Sequence, residues 1–520
     1  MKAEAAGVRL EFPRTDLGNA ERLVAQHGGD VHYAPGVGWL AWDGRRWRRD
    51  VDGAVMRFAK ATVRSMYAAA AELDDSGERA ALTKWAIASE SEPRLRAMVK
   101  LAETELAVLV EPAQLDADPW LFNAANGTID LRSGELREHR RGDLLTRIAP
   151  AVYQPDARHE LWDAFVETLT GGDGTLASFL QRAAGYSLTG HTVEDVLFFV
   201  HGPSATGKST YLEAKRAALG DDYVMTADFE TFLKRRGDSG IRNDVARLAG
   251  ARLVISVEVD EGKELAEGLV KMLTGGDTVA ARFLYRETFE FAPRFKLWLA
   301  ANARPAVNPE DGAMWRRILQ VPFTNVIPEA KRDEHLKLRL RTDPEIHAAV
   351  LAWAVTGCTD WQRTGLAVPD RVRDYTQEYR RENDPLARWI ADSCDLHPAA
   401  WTSAADLRAA YKAWAEDNDE DPAAQNRLAA ALRTHGCTNA KRDRQRGWLG
   451  LRLTDGDTRD TRDTTFQKPP YTHPHERSFK NQTSQPSQPS PEDITDKRRA
   501  EIVDREPATC EDDARARESS

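Results

Sequence analysis

Runs of apolar residues divide the middle of this 520-residue chain into alternating strand-like and helix-like segments. Three nearly continuous apolar runs predict strands that are buried on both faces, at Val196–His201, Leu253–Val257 and Lys296–Ala300. Between these runs the spacing of apolar residues favours helices. The alternation predicts an α/β domain in which helices cover a parallel sheet.

The flanking regions have other patterns. A hairpin is predicted around a two-residue turn at Asp43-Gly44, and Ala-, Leu- and Arg-rich stretches after it predict helices. The composition after residue 454 is rich in Gln, Ser and Pro, which cannot bury a core. We divide the chain into an α+β region (1–115), a helical domain (116–190), an α/β core (191–330), its helical extension (331–383), a small helical unit with a basic, strand-like end (384–454) and a disordered tail (455–520).

Composition excludes several classes of protein. No run of about eighteen apolar residues is present, and Met1–Pro13 lacks the apolar core of a signal peptide, so we expect a cytoplasmic protein without a membrane partner. The four cysteines are too far apart to form a Cys-x-x-Cys zinc pair. The net charge of -10 argues against a surface coated in positive charge, although a local basic channel for DNA is compatible with it.

A glycine-rich loop follows the first predicted strand. The segment from Gly202 to Thr210 satisfies G-x-x-x-x-G-K-[ST] and leads into a helical stretch, Tyr211–Leu219. Such a loop presents backbone N–H groups and a helix N-terminus to an anion. We predict that Lys208 contacts the β- and γ-phosphates of ATP and that Ser209 offers its hydroxyl to Mg²⁺. The predicted nucleotide-binding residues are Gly202, Pro203, Ser204, Ala205, Thr206, Gly207, Lys208, Ser209 and Thr210.

Later strand ends carry the other groups that nucleotide hydrolysis needs. Glu258 and Asp260 follow the second strand, where one carboxylate holds Mg²⁺ through water and the other orients the attacking water; the sequence does not separate these roles. Asn302 follows the third strand and is placed to bond the γ-phosphate or that water. The plain alternatives are a solvated acidic loop and a turn-forming asparagine.

Two adjacent arginines come next along the chain. Adjacent arginines are usually solvated surface charges, but in a ring of NTPases one arginine crosses the interface and stabilises charge on the neighbour's phosphate. We predict this role for Arg316 and keep Arg317 as the alternative.

The order of these motifs resembles the superfamily 3 helicases, specifically the primase-helicases of phages, plasmids and large DNA viruses. Gly202–Ser209 is similar to their phosphate loop, and the segment 255–263 to their acidic motif. Leu297–Asn302 is similar to the sensor strand, and 313–318 to the arginine-finger segment. This chain has Ala-Asn where the sensor of the family has Thr-Asn, which is a departure at Asn302.

The resemblance implies an AAA+-like P-loop NTPase motor, with 116–190 as the preceding helical domain and 384–454 as a C-terminal winged-helix domain. It implies ATP and Mg²⁺ as cofactors, single-stranded and forked DNA as partners, and a homo-oligomeric ring, expected to be a hexamer, that unwinds DNA 3′-to-5′. Full-length relatives carry a primase-polymerase domain, for which about 110 preceding residues are too few. A separate primase is therefore a candidate partner.

A hairpin is predicted between the acidic motif and the sensor strand. Leu265–Leu273 predicts a helix, and 278–285 and 288–295 predict two strands. In the resembling family a hairpin at this place grips single-stranded DNA in the central channel. The candidate contacts are Lys271, Arg282, Tyr285 and Arg286, with ordinary surface charge and a packed tyrosine as the alternative.

Three functions fit these observations. The first is a ring-forming, ATP-dependent DNA helicase for phage or plasmid replication in the cytoplasm of a bacterial host. The second is an NTPase switch or remodeller that hydrolyses ATP without unwinding. The third is a DNA-binding replication initiator whose nucleotide site controls assembly. Strand displacement that requires ATP separates the first function from the other two.

Overall fold

The structure, a computed structural model, describes residues 12–234, 243–257, 263–282, 288–418 and 425–454. Several residues singled out by the sequence lie outside these ranges, namely Glu258, Asp260, Tyr285, Arg286 and the tail 455–520. No helix in the described ranges combines the length and the apolar character that a membrane crossing requires.

The N-terminal region packs helices against one another and against a small antiparallel sheet of order β1-β2-β3. Its elements are α1 (Asp16–His27), β1 (Val31–Ala34), β2 (Gly38–Trp42), β3 (Trp47–Arg49), α2 (Ala54–Ala71), α3 (Ser76–Ser89) and α4 (Glu92–Ala102). The predicted hairpin is present, but its two-residue turn was wrong. Trp42 pairs with Trp47, which leaves a four-residue loop in which the Asp43 carboxylate accepts hydrogen bonds from the N–H groups of Arg45 and Arg46.

The next region begins as a sheet and ends as helices. Its elements are β4 (Leu121–Ala124), β5 (Gly127–Asp130), β6 (Glu135–Arg137), α5 (Glu160–Thr170) and α6 (Gly174–Leu188). The strands form an antiparallel sheet whose reversals fall at 125–126 and 131–134, where the Asn-Gly and Ser-Gly pairs predict turns. The α-helices of 116–190 therefore lie in its second half.

A five-stranded parallel sheet of order β13-β7-β12-β9-β8 forms the centre of the molecule. The elements of this region are β7 (Leu197–His201), α7 (Lys208–Leu219), β8 (Val224–Thr226), α8 (Asn243–Ala246), β9 (Leu253–Val257), α9 (Glu267–Thr274), β10 (Val279–Arg282), β11 (Thr288–Phe291), β12 (Lys296–Ala301), α10 (Gly312–Trp315) and β13 (Ile318–Pro322). The three strands predicted from apolar runs are confirmed as β7, β9 and β12. They occupy the three central places of the sheet.

Successive side chains of the central strands enter two different cores. Phe198 and Trp298 stack on one face, with ring centroids 4.4 Å apart, whereas Leu197 and Leu299 belong to the core on the other face. Burial on both faces explains why these strands are apolar without alternation.

Three helices that follow the sheet in sequence cover the face on which Phe198 and Trp298 stack. They are α11 (Leu336–Thr342), α12 (Pro344–Thr364) and α13 (Asp370–Glu382). Helix α12 crosses α6 closely because two glycines lie at the crossing. A Cβ atom at Gly185 would lie 2.0 Å from the Cys358 nitrogen, and one at Gly357 would lie 2.0 Å from the Gln181 carbonyl oxygen. Helices that precede the sheet in sequence and helices that follow it therefore share one core with the sheet.

A separate small core supports the last described unit. Its elements are α14 (Pro385–Ser393), β14 (Cys394–Ser403), α15 (Ala404–Asp417), α16 (Gln425–Thr434), β15 (Thr438–Arg442) and β16 (Gln445–Leu453). The strands form an antiparallel sheet of order β14-β16-β15. The predicted boundary at 383–385 falls between two helices, since α13 ends at Glu382 and the Asp384 carboxylate caps the first turn of α14.

Candidate nucleotide site

The phosphate loop joins the carboxyl end of β7 to the first turn of α7. Gly202 has a φ of +157°, and a Cβ atom there would lie 1.9 Å from the Phe323 carbonyl oxygen. Only glycine therefore allows the loop to leave the strand at this point. Ala205 also has a positive φ, of 60°, which a residue with a side chain adopts rarely. Both features belong to the residues of the loop itself, so its course after β7 depends on local sequence.

Lys208 lies across the beginning of this loop. Its Nζ donates to the carbonyl oxygens of Gly202 and Pro203, at 2.7 and 2.8 Å. The side chain is buried, and this burial lowers the pKa of the amine. Lys208 is thus held over the loop, on the side where backbone N–H groups at the start of α7 face an anion.

A cavity of about 630 Å³ lies in front of the loop. Residues Ser204–Thr210 line it, together with Asn302 from the end of β12. The register explains the proximity, because Ala301 of β12 pairs with His201 of β7 and the following residues share one edge of the sheet. Of the residues that the sequence singled out, the phosphate loop and Asn302 are therefore brought together.

The acidic motif follows β9 in sequence. Val257 ends this strand and lines the cavity, whereas Glu258 and Asp260 lie outside the described residues. Two described carboxylates that sequence reasoning missed also line the cavity, Asp228 and Glu230. Hydroxyl and carboxylate oxygens are the hard donors that Mg²⁺ prefers, so Ser209 and a carboxylate such as Asp228 fit this ion.

A network of aromatic and charged side chains backs the start of the loop. The His201 Nδ1 lies 2.9 Å from the Tyr375 hydroxyl, and burial together with the charges of Arg304 and Lys208 lowers the pKa of His201 to about 4. Arg304 stacks over Tyr375 and pairs with Glu382 at 2.5 Å. The His201 imidazole is therefore neutral at physiological pH. Its contact with Tyr375 joins helix α13 to β7, the strand that precedes the phosphate loop.

The two adjacent arginines have different environments. Arg317 is buried, and its Nη1 donates to the Ala313 carbonyl oxygen at 2.9 Å. Arg316 is exposed, and its side chain makes no hydrogen bond or ion pair within the described residues. Both precede β13, whose Ile318 pairs with Leu197 at the amino end of β7. Arg316 thus lies at the opposite edge of the sheet from its own phosphate loop.

The predicted hairpin is present as the antiparallel pair β10–β11, in which Arg282 lies opposite Thr288. Arg282 has no hydrogen bond or ion pair to another residue in the described ranges, whereas Tyr285 and Arg286 lie outside them. Lys271 is engaged elsewhere. Its Nζ lies 2.6 Å from the carboxylate of Asp311, which also caps α10 through the Met314 N–H. This ion pair gives Lys271 a structural role that the sequence did not predict.

The sheet, the phosphate loop and the cavity define an α/β protein compatible with the P-loop NTPase class. Two family models match the chain: "D5 N terminal like" over residues 20–171, and "Family of unknown function (DUF5906)" over residues 200–317. These matches, together with the viral proteins given next, support the D5-like superfamily 3 helicase family that the motifs predicted.

Proteins of large DNA viruses are similar to this chain. "Putative helicase 022R" of Frog virus 3 (isolate Goorha) is 26% identical over 384 residues, which cover 58% of this chain and 39% of that protein. A helicase-named protein of Acanthamoeba polyphaga mimivirus is 27% identical over 302 residues, covering 54% and 31%. The chain thus spans about a third of the length of these curated relatives.

Among solved structures, the apo form of the "NrS-1 C terminal region" is similar at 11% identity and a TM-score of 0.40, covering 70% of this chain and 90% of that one. A likeness of this size carries no functional argument, and the family rests on the sequence matches.

Proposed function

We propose that this protein is an ATP-dependent DNA helicase motor that acts in the replication of viral or mobile-element DNA. The observation that carries the proposal is the shared cavity of the phosphate loop and Asn302 at the carboxyl edge of the parallel sheet. Parallel sheets bind ligands at this edge, and the family match supports helicase work as the use of the nucleotide. A bacterial host cytoplasm remains a proposal, since the viral relatives named above come from viruses of eukaryotes.

The chain's own residues account for nucleotide binding in this proposal. Loop N–H groups and Lys208 bind the phosphates, Ser209 holds Mg²⁺, and Asn302 orients the attacking water. Mg²⁺ supplies neutralisation of charge on the β- and γ-phosphates. Glu258 and Asp260 stay our candidates for the carboxylates of the acidic motif, and Asp228 joins them at the same cavity, whereas Glu230 pairs with Lys263.

Ring formation is proposed from the position of Arg316. The register places it roughly 16 Å or more from its own phosphate loop, since β7 rises about 3.3 Å per residue over five residues. An exposed arginine that has no acidic partner among the described residues is available to a second copy of the chain. This geometry favours Arg316 over the buried Arg317 and supports a homo-oligomer, which we propose to be a hexamer.

The DNA path is proposed to follow the β10–β11 hairpin. Arg282 is the described residue that best fits a phosphate contact, because no described acidic group neutralises it. Tyr285 and Arg286, which lie between the two strands in sequence, stay candidates, and Lys271 is the weakest of the four because Asp311 pairs with it. Unwinding in the 3′-to-5′ direction and a separate primase partner come from the resemblance alone.

The C-terminal unit is proposed to be a winged-helix domain that contacts DNA. Its order of helix, strand, two helices and two strands fits that fold. The β15–β16 hairpin turns at Asp443 and Arg444, both with positive φ, and carries Lys441, Arg442 and Arg446 beside the turn. Exposed cations on such a wing suit contact with DNA phosphates.

The decisive experiment is strand displacement on a forked duplex, run beside ATPase measurements with and without single-stranded DNA. ATP-dependent displacement is expected, together with stimulation of the ATPase by DNA. ATP turnover without displacement would replace the helicase by an NTPase switch. Nucleotide-gated DNA binding with negligible turnover would replace it by an initiator.

A further inference from the structure

The nucleotide cavity has a second wall, opposite the phosphate loop. Asp228, Phe229, Glu230 and Leu233 line it after β8, and Lys263 lines it just before α9. Among the described residues that line the cavity, two carry positive charge, Lys208 and Lys263. The mechanism proposed above uses only the first of them.

The backbone around Lys263 is fixed from both sides. The Lys263 carbonyl oxygen accepts a hydrogen bond from the Ala306 N–H at 2.7 Å. On the other side, Leu265 and Leu233 form a β-bridge, and the Lys234 N–H donates to the Glu264 carbonyl oxygen at 2.8 Å. These contacts hold the backbone of Lys263 at the cavity.

The side chain of Lys263 is held loosely in comparison. Its Nζ lies 3.4 Å from the Glu230 Oε1, and the two side chains are 42% and 58% exposed. An ion pair this exposed contributes only about 0–1 kcal/mol, so a polyanion in the cavity competes with it readily. Lys208 is different, because its amine is buried between two loop carbonyls.

Strand order decides which part of a nucleotide this wall faces. From the phosphate loop after β7, the cavity passes the ends of β12 and β9 before it reaches the segment after β8. Neighbouring strands lie about 4.8 Å apart, so this wall lies roughly 14 Å from the phosphate-loop strand. The loop N–H groups cradle the α- and β-phosphates, so the terminal phosphate is the one that stays open toward this wall of the same cavity.

We propose that Lys263 is a second phosphate-binding cation of the nucleotide site, which exchanges Glu230 for the terminal phosphate of a nucleoside triphosphate. The inference rests on the proposed nucleotide function and deepens it, since it makes Lys263 a residue that selects triphosphate over diphosphate. Release of Glu230 then accompanies binding of the triphosphate and not of the diphosphate.

The test is binding of a non-hydrolysable ATP analogue and of ADP, each by competition with a fluorescent nucleotide, to the full chain. Lys263→Gln is expected to weaken the triphosphate about 10-fold or more, as loss of a charge-assisted hydrogen bond does, and to leave ADP nearly unchanged. The matched control is Lys234→Gln, which removes the neighbouring Lys234–Glu264 pair (2.9 Å) outside the cavity. The ratio of ATP-analogue affinity to ADP affinity in Lys234→Gln is expected to equal that of the wild type.

Glu230→Gln supplies a test of opposite sign. It frees Lys263, so triphosphate affinity is expected to rise, and the rise is expected to disappear in the Lys263→Gln background. If Glu230→Gln raises triphosphate affinity equally in the wild-type and Lys263→Gln backgrounds, the effect is general charge repulsion. That result would overturn the proposed exchange of Glu230 for phosphate at Lys263. An unchanged ratio of affinities in Lys263→Gln overturns the inference while the nucleotide site stands, whereas a wild type that binds neither nucleotide removes the proposed function itself.

Discussion

The two edges of the parallel sheet carry cations in opposite situations. At the carboxyl edge, Lys208 is buried and donates to two carbonyl oxygens of its own loop. At the amino edge, Arg316 is exposed and has no partner in the described part of the chain, next to Arg317, which is buried and bonded. One edge holds a site that a single chain builds, and the other carries an exposed charge that is open to a second copy. The contrast fits the proposal that hydrolysis depends on two copies.

The largest effect is expected from Arg316→Ala. An arginine that acts across an interface contributes a factor of about 10³ or more to the rate of hydrolysis in other NTPases. Nucleotide affinity is expected to stay near the wild-type value, because Arg316 lies at the edge away from its own loop. ATPase rates and nucleotide Kd, measured at a protein concentration where the oligomer forms, check this expectation.

Arg317→Ala is the matched control for that experiment. It removes the hydrogen bond to Ala313 and a buried side chain, so the free energy of unfolding is expected to fall by about 1–3 kcal/mol. The Tm is expected to fall with it. If Arg317→Ala instead folds normally and loses hydrolysis while Arg316→Ala retains it, the arginine finger is Arg317.

Lys208→Ala is expected to reduce hydrolysis by about 10²–10³-fold, the usual loss when one preorganised donor is removed from an active site. Unlike Arg316→Ala, this change is also expected to weaken nucleotide binding, since Lys208 belongs to the site of its own chain. Circular dichroism and Tm serve as the control for folding. Wild-type turnover in a folded Lys208→Ala protein would remove the nucleotide assignment.

Mixing these two inactive variants sharpens the comparison between the edges. In a ring with random 1:1 composition, about one quarter of the interfaces pair an intact phosphate loop with an intact Arg316. ATPase is therefore expected to return to about a quarter of the wild-type rate, whereas unwinding that needs every site returns less. If the variants co-assemble and no activity returns, Arg316 does not act between copies.

The sequence predicted the parts of the sheet that are apolar on both faces and missed the others. β8 has three residues, too few to show a period, and β13 contains the buried polar Gln320 and ends at Pro322. β14 was missed because its pairing with β16 is irregular between His397 and Trp401, where Pro398 interrupts the pattern. Long apolar runs are visible in sequence, whereas edge strands depend on neighbours that only the fold supplies.

The candidate site divides in the same way. The phosphate loop is local, since consecutive residues supply its glycines, lysine and hydroxyls, and sequence alone identified it. Asp228, Glu230 and Lys263 enter the cavity only because β8 pairs with β9 and because the segment 263–266 pairs with residues far along the chain. The partner of Lys271 is likewise 40 residues away, at Asp311. No local pattern marks such residues.

The smallest effect concerns Lys215, a buried lysine on the helix that follows the phosphate loop. Its Nζ lies 3.2 Å from the centroid of the Trp298 ring and has no hydrogen-bond partner in the described part of the chain. Burial lowers the pKa of this amine well below the ordinary 10.5. The unfolded chain therefore binds a proton at Lys215 more tightly than the folded chain does. This difference destabilises the folded chain at pH values below about 10.5, and the destabilisation becomes smaller as the pH rises toward that value.

Lys215→Met keeps most of the side-chain volume and removes the amine. The variant is expected to have a higher Tm than the wild type near neutrality, by about 2–4 °C for each kcal/mol gained, and the difference is expected to shrink toward pH 10. Lys412→Met, at an exposed position of α15, is the control and is expected to show no such trend. A Tm difference that is equal at both pH values would mean that Lys215 acts through packing against Trp298. In that case the buried amine would not destabilise the helix that follows the phosphate loop. The contrast between a buried and an exposed cation would then rest on Lys208 and Arg316 alone.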